Sequence, residues 1–167
     1  MPAAVPSHGP GARMAENDAE RIFRHRNLPL LLLQARERVI ARFRPALNAA
    51  GVTEQQWRIV RALLELGPLE PRQIVTLCAI SSPSLAGVLA RMDDLGLVTR
   101  VRLDHDQRRV QVSLTAKSRA LARTLAPQIE AVYAGIEARI GHRYTQDFYR
   151  TLDDLITLLD EGEPAPE

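Results

Sequence analysis

Residues 81–115 read SSPSLAGVLARMDDLGLVTRVRLDHDQRRVQVSLT, and within them the apolar period changes. Up to Gly96, the residues Leu85, Val88, Leu89, Met92 and Leu95 recur at helical spacing, with Ser81 placed to cap the helix and Pro83 in its first turn. Beyond Gly96 the spacing falls towards two. Val98, Val101 and Leu103, then Val110, Val112 and Leu114, approximate strand alternation around a polar connection from Asp104 to Arg109. A helix that runs straight into a two-stranded hairpin is the second half of a winged helix-turn-helix.

The face of that helix opposite the apolar stripe offers Ser82, Ser84, Ala86, Gly87 and Arg91. A helix fits the major groove of B-DNA, and small residues let its backbone come close to the base edges. Ser81, Ser82, Ser84, Gly87 and Arg91 are therefore candidate DNA contacts, although an ordinary amphipathic surface helix carries the same pattern. The hairpin adds Arg100, Arg102, Arg108 and Arg109. A cationic tip suits the minor groove, where the negative potential favours arginine. The competing reading is a solvated turn whose arginines pair with Asp104 and Asp106.

Outward from this stretch the pattern is helical. On the N-terminal side, Leu31, Ala35, Val39 and Phe43 make one stripe from about Leu28 to Ala49, ended by Gly51. Thr53 and Gln56 have the spacing of a capping box, opening a helix that Gly67-Pro68 stops, and a short helix from about Pro71 to Cys78 follows. On the C-terminal side, Thr115 caps a long helix with the stripe Leu121, Leu125, Ile129, Val132, Ile136 and Ile140, in which Pro127 should give a kink or a split. A last helix, Thr145 to about Asp160, should bury Phe148, Leu152, Leu155 and Leu159. The boundaries expected are a disordered tail over 1–20, a first helix within 21–52, the winged region over 53–115, terminal helices over 116–160 and a loose end over 161–167. The fold class is mainly α with a small β wing.

Composition narrows the function. Hydrophobic residues make up 46% of the chain but aromatics only 4%, so the core is aliphatic, as suits helices. A net charge of +2 gives no global attraction to polyanions, and any basic surface must come from uneven placement. The lone Cys78 excludes an internal disulfide and fits a reducing compartment, and its apolar neighbours Leu77, Ala79 and Ile80 suit an inert packed thiol better than a redox sensor. No apolar run is long enough for a membrane span and no signal peptide opens the chain, so a cytoplasmic protein is expected. An enzyme is not expected. His8, His25, His105 and His142 are scattered without metal-ligand spacing, and neither a phosphate loop nor a nucleophile elbow is present; no metal and no cofactor are implied.

Several of these pieces together resemble the MarR family of bacterial regulators. They are Thr53-Glu54-Gln55-Gln56-Trp57, Leu95-Gly96-Leu97-Val98, Asp106-Gln107-Arg108 and Val112-Ser113-Leu114-Thr115. Leu33-Gln34-Ala35-Arg36-Glu37, Phe43-Arg44-Pro45, the run from Thr53 to Arg61, Gly87 to Met92 and Asp106 to Arg109 look most like the repressors of aromatic-acid degradation operons, of the homoprotocatechuate type. The resemblance covers roughly residues 28–160. It implies a homodimer whose first and last two helices interleave, with a winged domain on each side. In it Arg108 reaches the minor groove and Asp106 orients the wing. Relatives often carry Arg and Thr where this chain has Ser82 and Ala86, so its base readout should differ.

Family effector pockets lie between the dimer helices and the winged domain. The candidates there are Trp57 as an aromatic wall, Arg26, Arg38 and Arg58 as cations (with Arg91 a further arginine), and His25 and Gln34 as neutral hydrogen-bonding groups; an acidic ligand wants such a cation. The function expected is a repressor of a catabolic operon that binds a pseudo-palindromic double-stranded operator and is released by a small aromatic carboxylate. The alternative is an architectural or protein-interaction winged-helix module without an effector.

Overall fold

The computed structural model describes residues 22–103 and 106–161, without the side chains of Leu103 and residues 106–108. The tail expected over 1–20 and the chain after Glu161 lie outside the described residues. The element order is α1 (Leu28–Ala49), α2 (Glu54–Leu66), α3 (Pro71–Cys78), α4 (Ser82–Asp94), β1 (Val98–Leu103), β2 (Asp106–Leu114), α5 (Ala116–Ile140) and α6 (His142–Asp160). The described residues divide into two compact units at Glu37/Arg38. In the first, Asn27 starts α1: its Oδ1 accepts from the Leu30 N–H at 3.0 Å and its carbonyl from the Leu31 N–H at 3.1 Å.

The second unit is built on local rules. Thr53 caps α2 as its sequence implies. The Gln56 N–H donates to Thr53 Oγ1 at 3.2 Å, and Gln56 Oε1 accepts from the Thr53 N–H at 3.0 Å. Helix α3 begins with Pro71 after Glu70, whose N–H donates to Gln73 Oε1 at 2.8 Å. Ile59, Val60 and Leu63 of α2, Ile74 and Cys78 of α3, Leu85, Val88, Leu89 and Met92 of α4, and Val98, Val112 and Leu114 of the strands close into one core. The strands pair antiparallel from Val98↔Leu114 to Arg102↔Val110. Leu69 adds a short bridge on the other side of β2, its N–H donating to the Val112 carbonyl at 3.1 Å and its carbonyl accepting from the Val112 N–H at 2.8 Å. A second cluster joins Phe43 and Leu47 of α1 to Leu125 and Ile129 of α5, and Trp57 touches both cores.

Four expectations are corrected. Of the two outcomes expected at Pro127, the split does not occur: α5 runs from Ala116 to Ile140. A proline removes one backbone donor, and here Leu125 and Ile129, one on either side of it, are both anchored in the second core. Helix α6 starts at His142 rather than Thr145, because Gly141 at φ +91° breaks the chain and Thr145 already sits in the first turn, its hydroxyl donating to the Gly141 carbonyl at 2.9 Å. The expected apolar stripe of α6 is not buried within one chain: Leu152 and Leu155 are half-buried, while Phe148 and Leu159 are exposed. Leu95, assigned to the core face of α4, is also exposed, because the helix has ended and the chain turns there.

Candidate functional site

Helices α3 and α4 meet at 110°, inside the roughly 90–120° of a helix-turn-helix. With Leu85, Val88, Leu89 and Met92 turned into the core, α4 leaves Ser82, Pro83, Ser84, Ala86, Gly87, Ala90 and Arg91 exposed. Up to Ala90 every side chain on this face is small, and the exposed Arg91, Asp93 and Asp94 follow towards the C-terminal end. A Cβ at Gly87 would meet only Arg91 Nη1, at 3.9 Å, so nothing among the described residues demands glycine there. Ser81 occupies the N-cap position, but its hydroxyl bonds to the Ser84 hydroxyl at 2.9 Å instead of to the backbone. The first turn of α4 therefore keeps free N–H groups, a suitable end to present to a phosphate.

The two ends of α4 are held by different means. At the C-terminal end Gly96 takes φ +65°, the Leu97 N–H returns to the Met92 carbonyl at 2.8 Å, and α5 contributes two clamps. Lys117 Nζ donates to the Leu95 carbonyl at 2.7 Å and the Thr115 hydroxyl to the Gly96 carbonyl at 2.7 Å. At the N-terminal end the chain turns at Ala79, a left-handed residue at φ +46° that has a Cβ, a conformation that costs about 1–2 kcal/mol. Arg58 meets this turn. Its Nη1 donates to the Cys78 carbonyl and, at 3.5 Å, to the Ala79 carbonyl, while its Nη2 pairs with Glu54 Oε1 at 2.9 Å. The Cys78 thiol donates back to the Arg58 carbonyl at 3.7 Å. Burial pushes this thiol's pKa up, against a smaller opposing effect of the Arg58 charge, which favours the protonated form.

In the wing, the pair after Arg102↔Val110 is Leu103↔Asp106, so β2 carries extra residues at 107–109. The side chains of Asp106 and Arg108 lie outside the described residues. Arg102 is exposed. Asp104 and the side chain of Asp106, the partners expected for the wing arginines, lie outside the described residues; two of those arginines make longer-range pairs. Arg100 pairs with Asp93 of α4 at 2.8 Å, and Arg109 reaches Glu70 at the start of α3, Nε to Oε1 at 2.9 Å. Both contacts tie the wing to the helix-turn-helix.

A groove of about 290 Å³ lies between α2 and α5, lined by Trp57, Arg61, Leu64, Glu65, Ala122, Ala126 and Ile129. Arg61 Nε donates to Glu65 Oε1 at 2.9 Å. Tyr133 on α5 packs edge-on against Phe43, with ring centroids 4.8 Å apart. Burial raises the Tyr133 pKa, the positive charge of Arg61 opposes this, and Tyr149, Glu130 and Glu65 add to the rise. Of the residues expected to meet an effector, Trp57 lines this groove, whereas Arg58 is turned to the α3 end. His25, Arg26 and Gln34 are exposed and belong to the unit that ends at Glu37, and Arg38 is exposed on α1. Arg61 was missed. The signal was available, since position i+4 shares the face of Trp57 on a helix and position i+1 does not.

With this geometry in place, comparison with known proteins is direct. A model of the MarR family matches residues 50–109. The chain is 39% identical over 142 residues to the HTH-type transcriptional regulator FarR of Neisseria gonorrhoeae, covering 85% of this chain and 94% of that protein. It is 40% identical over 134 residues to the homoprotocatechuate degradative operon repressor of Escherichia coli, covering 80% and 90%. Among solved structures, NadR in complex with 4-hydroxyphenylacetate superposes with a TM-score of 0.72 at 37% identity, over 84% of this chain and 97% of that one. The chain belongs to the MarR family of transcriptional regulators.

Proposed function

We propose that this MarR-family chain is a homodimeric repressor of a catabolic operon, released from a pseudo-palindromic operator by a small aromatic carboxylate. Residues 53–115 read the DNA, through the Ser81, Ser82, Ser84, Gly87 and Arg91 face of α4 in the major groove and Arg108 in the minor groove. Helices within 21–52 and 116–160 supply the dimer seam. The protein acts in the cytoplasm, by binding and without turnover.

The observation that carries the effector is the α2–α5 groove, where an indole wall and an arginine stand together. A benzene ring stacks on Trp57, and a carboxylate takes a charge-assisted bond from Arg61, whose pairing with Glu65 uses Nε and Nη2 and leaves Nη1 for the ligand. NadR is bound to 4-hydroxyphenylacetate, a phenolic aromatic acid, and the Escherichia coli relative represses a homoprotocatechuate degradative operon, which supports the same ligand class here. Because the groove abuts both cores through Trp57, a ligand there bears on the winged domain and on the α1–α5 frame together. A hundredfold release from DNA needs about 2.7 kcal/mol of differential binding between the two states, within reach of one such contact.

The test uses an operator selected from random duplexes. 4-Hydroxyphenylacetate should quench the single tryptophan, Trp57, and weaken operator binding, and Arg61→Ala should abolish that response while keeping operator affinity. A panel of aromatic acids that neither shifts the melting temperature nor releases DNA would dispose of the effector.

A further inference from the structure

The geometry points to Arg58 as a positioning residue for operator binding: it holds the turn from which α4 is aimed at DNA. This rests on the DNA-binding reading of α4 and is independent of the effector. The last carbonyls of a helix lack intrahelical partners, and positive charge is favourable at that end. Arg58, twenty residues earlier in the chain, meets both needs by donating to the carbonyls of Cys78 and Ala79. Its charge is anchored in turn, with Glu54 Oε1 at 2.9 Å and the other Glu54 oxygen 3.9 Å from Arg44 Nη2 of α1. The Cys78 thiol closes the latch from the opposite side, at 3.7 Å from the Arg58 carbonyl.

What the latch restrains is Ala79, the sole left-handed residue other than glycine among those described. An L-residue with a Cβ left to itself leaves this region for the right-handed one. That change would run α3 on by another turn and swing α4 away from its 110° setting. At the far end of α4, where Lys117 and Thr115 clamp the carbonyls, glycine holds the left-handed position without strain; the strained residue is at the α3–α4 turn, and there the outside side chain is Arg58. Successive helix residues point about 100° apart. Trp57 and Arg58 accordingly serve two faces of α2, the first turned to the groove and the second to the turn that sets α4.

The full-length protein carries the test, with the selected operator as probe. Arg58→Ala should lower operator affinity at least tenfold while the slope of log affinity against log salt stays unchanged, because no phosphate contact has gone. Ala79→Gly, added to Arg58→Ala, should restore part of the affinity by removing the left-handed penalty. Arg58→Lys, which keeps a cation but loses the fork that joins the turn carbonyls through Nη1 to Glu54 through Nη2, should show a smaller loss of the same kind, and it decides the matter if Arg58→Ala does not fold. Wild-type affinity in either variant overturns the proposal. So does a slope reduced by about one unit, which would make Arg58 a phosphate contact. Retained affinity with a lost response to 4-hydroxyphenylacetate would return Arg58 to the effector site. A wild-type complex that ignores 4-hydroxyphenylacetate sinks the effector reading alone and leaves these comparisons standing.

Discussion

Helices α4 and α6 are both amphipathic, yet they solve the burial problem differently. In α4 the side chains Leu85, Val88, Leu89 and Met92 are each 3% exposed or less, packed against α2, α3 and the strands of the same chain. In α6 the only buried side chain is that of Thr145, while Tyr144, Phe148, Ile156 and Leu159 are 40–67% exposed. The N-terminal half of α1 resembles α6, with Leu28, Leu30, Leu32 and Leu33 all exposed. A winged domain that closes its own core can be read as a unit; helices that leave this much apolar surface need a second copy to cover it. On the proposed function, the part that reads DNA is complete in one chain, and the part that would set the spacing of two such readers is not.

The largest expected effect breaks the second half of that comparison. Leu155→Asp places a carboxylate on the half-buried side of α6. In a dimer seam it would be desolvated without a partner, at a cost of several kcal/mol. Dimerisation, and folding with it, should be lost, as read by sedimentation and far-ultraviolet circular dichroism. A stable monomer of the unmodified chain at micromolar concentration, still bound to the operator, would break the comparison itself.

A smaller effect tests the wing against its own neighbours. Arg108→Ala should weaken operator binding and reduce the salt slope by about one unit, the loss of one DNA-facing charge. Arg109→Ala should change the slope by much less, because its guanidinium is already engaged with Glu70. The pair is an exposed one, so the stability change should stay within about 1 kcal/mol. Equal slopes for the two variants would remove the distinction between a DNA-facing arginine and one that braces the wing on α3.

This contrast also marks how much the sequence could say. Thr53 with Gln56, Thr115, and the switch of period at Gly96 are local signals, and the elements they imply are present. The resemblance to a family supplied the dimer and the seam. What stayed hidden depends on contacts distant in the chain. Nothing near Arg109 in the sequence names Glu70, and nothing near Leu69 announces its bridge to Val112. Arg58 and Arg61 look alike as cations three residues apart. They separate only when α3 is seen to end against one and α5 to flank the other. The exposure of α6 was illegible for another reason: an apolar stripe states that a surface is to be covered, not which chain covers it.

The smallest effect sharpens the first half of the comparison, because it has opposite signs for fold and function. Gly87 lies in the middle of α4, where glycine is unfavourable relative to alanine by about 0.5–1 kcal/mol. A Cβ there would have only Arg91 Nη1 within 4 Å, at an ordinary contact distance of 3.9 Å. Gly87→Ala should therefore raise the stability of the protein by about that amount. If the small face of α4 lets its backbone approach the bases, the added methyl lies between helix and DNA, and operator affinity should fall severalfold. The loss should appear at every salt concentration, since no charge has changed. Thermal melting and operator titration of the one variant provide both readings. A gain in stability with unchanged affinity would show that α4 does not approach DNA closely at position 87, and would move base recognition towards Ser82, Ser84 and Arg91.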